Sequence, residues 1–72
     1  MHNDELIEMI KARRESLKIN QEDLADLSGV GLRTLKQFES GKGNPTLETL
    51  QKLADALGLE LTFILKKIRP GG

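Results

Sequence analysis

Apolar positions along the chain fall into four helical stretches followed by one alternating stretch. Leu6, Ile7, Ile10 and Leu17 make a first stripe, interrupted by Arg13 and Arg14. Gln21, Leu24, Ala25 and Leu27 give a second, shorter face with a small residue in its middle. Leu32, Leu35 and Phe38 recur at three-residue steps, one flank of a third helix. Leu47, Leu50, Leu53, Ala54 and Leu57 form a fourth. After Gly58 the period changes. Apolar residues stand at 59, 61, 63 and 65 and, apart from Ile64, alternate with polar ones, so Leu59 to Ile68 reads as a half-buried strand. The expected fold is mainly α: a compact four-helix domain over residues 1–58, one β-strand within 59–69, and a tail at 70–72.

Punctuation between the stripes agrees with this division. Asn3 or Asp4 is placed to cap the first helix, Asn20 the second and Thr46 the fourth. Gly41 reads as a glycine at a helix C-terminus, and Pro45 blocks further helix. Between the second and third helices lie Ser28, Gly29 and Val30. Ala25 lets another helix cross closely, and Gly29 permits the positive φ of a sharp turn. Two helices at a steep angle around a glycine turn make a helix-turn-helix, whose second helix can enter a DNA major groove.

Residue by residue, the stretch resembles the phage repressor/Cro-type helix-turn-helix family, often called XRE. The likeness is carried by Gln21-x-x-Leu24-Ala25-x-x-x-Gly29-Val30 and by Thr34-Leu35-x-x-Phe38-Glu39-x-Gly41. It continues through Asn44-Pro45-Thr46-Leu47 and Leu50-x-x-Leu53-Ala54-x-x-Leu57-Gly58, covering roughly residues 5–58. One position departs: Gly31 stands where the family usually has Ser or Thr capping the recognition helix. Glycine is a tolerable cap, at a cost of about a few tenths of a kcal/mol against serine. The resemblance implies a sequence-specific DNA-binding regulator, a repressor. It also implies that Arg14 pairs with Glu39 at the end of the recognition helix, a structural pair rather than a catalytic one.

Composition changes the picture at two points. Eleven Lys plus Arg balance eleven Asp plus Glu, whereas a nucleic-acid binder is expected to be basic. Distribution restores part of the expectation: Gly29 to Thr46 holds Arg33, Lys36 and Lys42 against Glu39 alone, while acids gather in Asp4–Glu8 and Glu22–Asp26. A local basic edge suffices to touch phosphates, with modest long-range attraction. The second point is the absence of cysteine, which excludes disulfide and thiolate-metal scaffolds and fits a reducing cytoplasm. Met1–Met9 carries Asp4, Glu5 and Glu8, unlike the basic start of a signal peptide, and no apolar run is long enough to span a bilayer. The expected location is cytoplasmic.

In the third helix, Leu35 and Phe38 point into the core, which leaves Leu32, Arg33, Lys36 and Gln37 outward. Arg33 suits guanine and Gln37 adenine, each bidentately, and Leu32 offers van der Waals contact to a thymine methyl. Lys36 and Lys42 suit phosphates, as does Gln21 at a helix N-terminus. Each of these residue types is also ordinary on a solvated helix, so their joint placement is what points to DNA. Catalysis is not expected: His2, the single histidine, has no companion ligands or nucleophile, and neither cofactor nor metal is implied.

The strand carries the last expectation. Alone in a helical chain, its backbone groups lack a ladder partner. Pairing with the same strand of a second copy, antiparallel about a two-fold axis, supplies one and makes Leu59, Leu61, Phe63 and Leu65 a dimerisation face. The alternative is an arm that extends the fourth helix or covers its own domain. A homodimer would present two recognition helices to a palindromic double-stranded operator. Helical domain plus strand also looks like the HipB-like antitoxins, which bind an operator and hold a toxin protein. A phage-type or metabolic repressor of the same fold is the rival, and a module whose main role is to hold a partner protein is the alternative of a different class.

Overall fold

Short-range chemistry sets the helix ends. The computed structural model describes residues 3–63, and over them the chain forms α1 (Asn3–Ser16), α2 (Gln21–Ser28), α3 (Leu32–Glu39) and α4 (Leu47–Ala56). Helix α1 already includes Asp4, so Asp4 and Glu5 sit in its first turn rather than capping it, where they suit the positive end of the helix dipole. Asn20 caps α2 through a full capping box: its Oδ1 accepts from the Asp23 amide at 2.7 Å, and the Asp23 carboxylate accepts from the Asn20 amide at 3.1 Å. Thr46 caps α4 by accepting from the Thr49 amide at 3.1 Å. Gly31 caps α3 with no side-chain hydrogen bond, as a glycine must.

Three C-termini close alike. Beyond α1, α3 and α4, paired 6→1 and 5→2 bonds run back into the last turn: Ile19 and Lys18 to the Arg14 and Glu15 carbonyls, Lys42 and Gly41 to Gln37 and Phe38, Leu59 and Gly58 to Ala54 and Asp55. The pivot of such a closure adopts positive φ, natural for Gly41 and Gly58 but strained at Lys18, whose φ is 58°. Helix α2 ends instead on Gly29 at φ 77°, and Val30 then donates to the Ser28 hydroxyl at 3.1 Å, turning the chain directly into α3.

One core joins the helices. Ile7 and Ile10 of α1, Leu24 and Ala25 of α2, Val30 of the turn, Leu35 and Phe38 of α3, and Leu53, Ala54 and Leu57 at α4 are all buried. Leu24, Leu35, Leu53 and Leu57 are essentially sealed from solvent. Each such leucine contributes about 1.5–3 kcal/mol through burial. Ile19, Leu32, Leu50, Ala56 and Leu59 pack around this cluster.

Three leucines depart from the sequence pattern and are exposed. Leu17 follows the last residue of α1, so it leaves the stripe of Ile7 and Ile10. Leu27 misses the buried arc of α2, which runs through positions 21, 24, 25 and 28 and lies about 110° away around the helix. Leu47 heads α4 one turn before Leu50 and remains outside the core. With Gln51, Leu61, Thr62 and Phe63 it lines a shallow apolar groove.

The expected strand is not formed in its described part, Leu59–Phe63, which has no regular secondary structure. A strand is defined by a ladder, and a single copy of this chain supplies no second strand among the described residues. Leu59 packs on its own core, whereas Phe63 is 97 % exposed. Leu65, the remainder of 59–69 and the tail at 70–72 lie outside the described residues.

Candidate nucleic-acid interface

Helix α3 divides cleanly around its axis. Leu35, Phe38 and Glu39 are buried, and Arg33, Thr34, Lys36 and Gln37 are exposed. At 3.6 residues per turn, Arg33 and Gln37 both fall about 160° from Leu35, on the side opposite the core and one turn apart. Lys36 lies on the flank of that face. The expected outward position of Leu32 is corrected: it sits one turn before Leu35, only about 60° around the helix, and is half-buried against the core cluster. Thr34, part of the family pattern but given no contact in the expectation, is also exposed, about 100° from Leu35 on the flank opposite Lys36. The same angular arithmetic, applied from Leu35, places it there.

Charge on this face has one sign. Among the described residues neither Arg33, Lys36 nor Lys42 is ion-paired. Lys42 is exposed in the turn after α3, but its backbone amide and that of Gly41 are engaged with the Gln37 and Phe38 carbonyls. Of Lys42, the side chain is therefore the group left to meet a phosphate. Acid collects on the other side of the turn, where Glu22 and Asp26 line an open groove with Ala25, Gly29, Val30, Gly31 and Leu32.

The expected pair of Arg14 and Glu39 is formed and buried. Arg14 Nε donates to Glu39 Oε2 at 2.9 Å and Arg14 Nη2 to Oε1 at 2.9 Å, a two-pronged contact with side chains 12 % and 3 % exposed. Arg14 Nη1 donates to the Ile19 carbonyl at 3.0 Å. The hydrogen bond to Glu39 raises the Arg14 pKa above its ordinary value, against the opposing effect of burial. Gln21 joins the same carboxylate, its Nε2 donating to Glu39 Oε1 at 3.1 Å. The end of α3 is thus fixed to α1 and to the first residue of α2.

Arg13 is a structural residue that sequence reasoning passed over as an interruption of the stripe. Its Nε donates to the Leu57 carbonyl at 2.9 Å and ties α1 to the end of α4. Its type alone gave no signal, since arginine is ordinarily solvated. Among the described residues no group of His, Cys, Asp and Glu gathers for a metal, and no helix is long and apolar enough to cross a membrane.

The sequence matches the helix-turn-helix family HTH_3 over residues 10–64. It is 39 % identical over 54 residues to the cryptic phage CTXphi transcriptional repressor RstR of Vibrio cholerae serotype O1, covering 75 % of this chain and 48 % of that protein. It is 37 % identical over 59 residues to the SPbeta prophage-derived uncharacterized HTH-type transcriptional regulator YonR of Bacillus subtilis, covering 82 % and 55 %. With the immunity repressor protein of Bacillus phage phi105 it shares 36 % identity over 56 residues, covering 78 % and 39 %. The chain spans about half the length of these curated relatives. Buried and exposed faces of α2 and α3, their glycine turn and the family match agree: this chain belongs to the helix-turn-helix family of the phage-repressor (XRE) type.

Proposed function

We propose that the chain is a DNA-binding transcriptional regulator, a repressor that reads a palindromic duplex operator as a homodimer and performs no catalysis. The observation that carries this is the outward face of α3, where Arg33, Lys36 and Gln37 stand free on a helix anchored by buried Leu35, Phe38 and Glu39. Arg33 and Gln37 read base edges; Lys36, Lys42 and Gln21 hold phosphates. The similarity to phage and prophage proteins named as repressors and regulators favours this reading over a module that mainly holds a toxin. Dimerisation is assigned to residues 59–69, where Leu61 and Phe63 are exposed beside Leu47. A two-fold pair then sets its α3 helices about 34–36 Å apart, for successive major grooves.

Selection from a random duplex library yields the operator, and titrations over a salt series test the roles. Arg33→Ala or Gln37→Ala is expected to cost about 1–3 kcal/mol on the selected operator and much less on random duplex. Lys36→Ala or Lys42→Ala weakens both alike. If none of the four changes binding, the DNA-binding reading fails. Truncation after Gly58, followed by light scattering, tests the dimer; an unchanged mass removes the assignment of 59–69.

A further inference from the structure

Glu39 is the one buried charged residue among the described residues, and its carboxylate does more than match Arg14. Oε2 accepts from Arg14 Nε at 2.9 Å, whereas Oε1 accepts twice, from Arg14 Nη2 at 2.9 Å and from Gln21 Nε2 at 3.1 Å. A carboxylate can only accept, so the Gln21 amide must turn its nitrogen toward Glu39 and cannot flip. Arg14 is itself held by the Ile19 carbonyl at 3.0 Å, so the Glu39 carboxylate that accepts from Gln21 is gripped by an anchored partner. Gln21 is half-buried and is the first residue of α2. Its Nε2 keeps a second hydrogen that the carboxylate does not use. Nearby are the first N–H groups of α2, which have no acceptor inside the helix; Asn20 takes only that of Asp23.

We propose that Glu39 is a positioning residue for the DNA backbone. It fixes the Gln21 amide so that the second Nε2 hydrogen meets a phosphate oxygen while α3 lies in the groove. The proposal rests on the DNA-binding reading above. An unrestrained glutamine has much rotamer freedom to lose on binding, and here the fold has already removed it. The arrangement also makes one rigid corner of the reading helix and the phosphate contact, because the last residue of α3 holds the first residue of α2. A phosphate gripped at Gln21 thereby sets the register of Arg33 and Gln37.

The test uses the full chain with a fluorescent random-sequence duplex of about 20 bp at low salt, because phosphate contacts are independent of sequence. Gln21→Ala is expected to weaken binding roughly three- to tenfold, the range of one hydrogen bond. Glu39→Gln is the sharper variant. It deletes a negative charge, which by Coulomb attraction alone would tighten binding to DNA. The positioning role requires the opposite, a loss similar to that of Gln21→Ala, because an amide can offer nitrogen instead of oxygen and release Gln21. In the double variant the Glu39→Gln loss should vanish. Losses that multiply, or Glu39→Gln binding as tightly as the parent chain, overturn the positioning role. A purely structural role acts through the tilt of α3 and gives multiplying losses, so it is told apart. Circular dichroism verifies folding at the titration temperature. If Glu39→Gln does not fold, nitrogen-15 spectra of the parent chain decide: the Gln21 side-chain amide signals must move when duplex is added, and unmoved signals overturn the proposal. Failure of the parent chain to bind duplex at low salt overturns the DNA-binding reading itself, and this one with it.

Discussion

Removing Arg14 tests the central polar element of the fold. Arg14→Met deletes the cation and three donated hydrogen bonds, two to Glu39 and one to the Ile19 carbonyl, and leaves Glu39 only the Gln21 amide. The Glu39 side chain is 3 % exposed, so water cannot take over from the lost partner. An uncompensated buried charge of this kind costs about 3–5 kcal/mol. The whole domain, 72 residues at about 0.05–0.15 kcal/mol each, has only about 4–11 kcal/mol of stability. Arg14→Met should therefore sit near unfolding at room temperature. Glu39→Gln should be milder, about 1–3 kcal/mol, because Arg14 keeps the Ile19 carbonyl and gains an amide oxygen. Replacing both by methionine removes the orphaned charge and should recover much of the Arg14→Met loss. The measurement is urea unfolding followed by far-ultraviolet circular dichroism, with equal m-values required for comparison. Salt should change the result little, since a buried pair is poorly screened. Nor should Arg14 add pH dependence near neutrality. Its folded pKa is raised, so its contribution is fully present below the unfolded value and fades only as pH climbs through the folded one, far into alkali. Losses that add to within about 0.3–0.5 kcal/mol in the double variant would refute the pair as an energetic unit.

Two substitutions probe the backbone. Gly31→Ser should raise the melting temperature by roughly 1–3 °C: the cap backbone is already extended at φ −60° and ψ 143°, and an added Cβ meets only Thr34 Oγ1 at 3.9 Å. A lower melting temperature would refute the account of the missing cap. Gly58→Ala should cost about 1–2 kcal/mol through its φ of +71°, not through the ordinary 3.5 Å contact with Arg13 Nη2. That cost should persist in an Arg13→Ala background, as chemical unfolding would measure, and its disappearance there would point to a clash.

How legible the fold was depends on which force sets each feature. Caps were legible because Asn20 and Thr46 act on amides three residues away, with no distant partner. The cores of α2, α3 and α4 were legible where apolar residues repeat at three and four, as at Leu50, Leu53, Ala54 and Leu57. Isolated hydrophobicity misled: Leu27 lies off the buried arc of α2, Leu47 heads α4 a turn before the core begins, and Leu17 falls where α1 has ended. Side chains that bond across the fold were legible only through family resemblance, which supplied Arg14 with Glu39. Nothing supplied the Arg13 bond to Leu57, 44 residues away in the chain. At the candidate site, Arg33, Lys36 and Gln37 followed from helical angle. The engagement of Gln21 with Glu39 did not, because it depends on how α2 packs against the end of α3. The strand expectation asks for a ladder partner that the described residues of one copy do not supply.

Charge arrangement bears on how tightly this face can hold DNA. The chain is neutral, with eleven cationic and eleven anionic residues, so it has little long-range attraction for a polyanion. Helix α3 itself, however, turns no acid outward. Asp4 and Glu5 sit in the first turn of α1, and Glu22 and Asp23 in that of α2. The single acid of α3, Glu39, is turned inward and matched by Arg14. What α3 and its following turn present outward is Arg33, Lys36 and Lys42. Each phosphate neutralised on duplex DNA contributes about −0.9 to the slope of log affinity against log salt concentration. If Arg33 is committed to a base edge, Lys36 and Lys42 together give a slope of about −2 per subunit and about −4 for a two-fold pair. Alanine at either lysine should remove about 1 per subunit from that slope. A dimer slope near −10 in the parent chain would mean that cations outside this face dominate binding, and the placement of the interface on α3 would need revision.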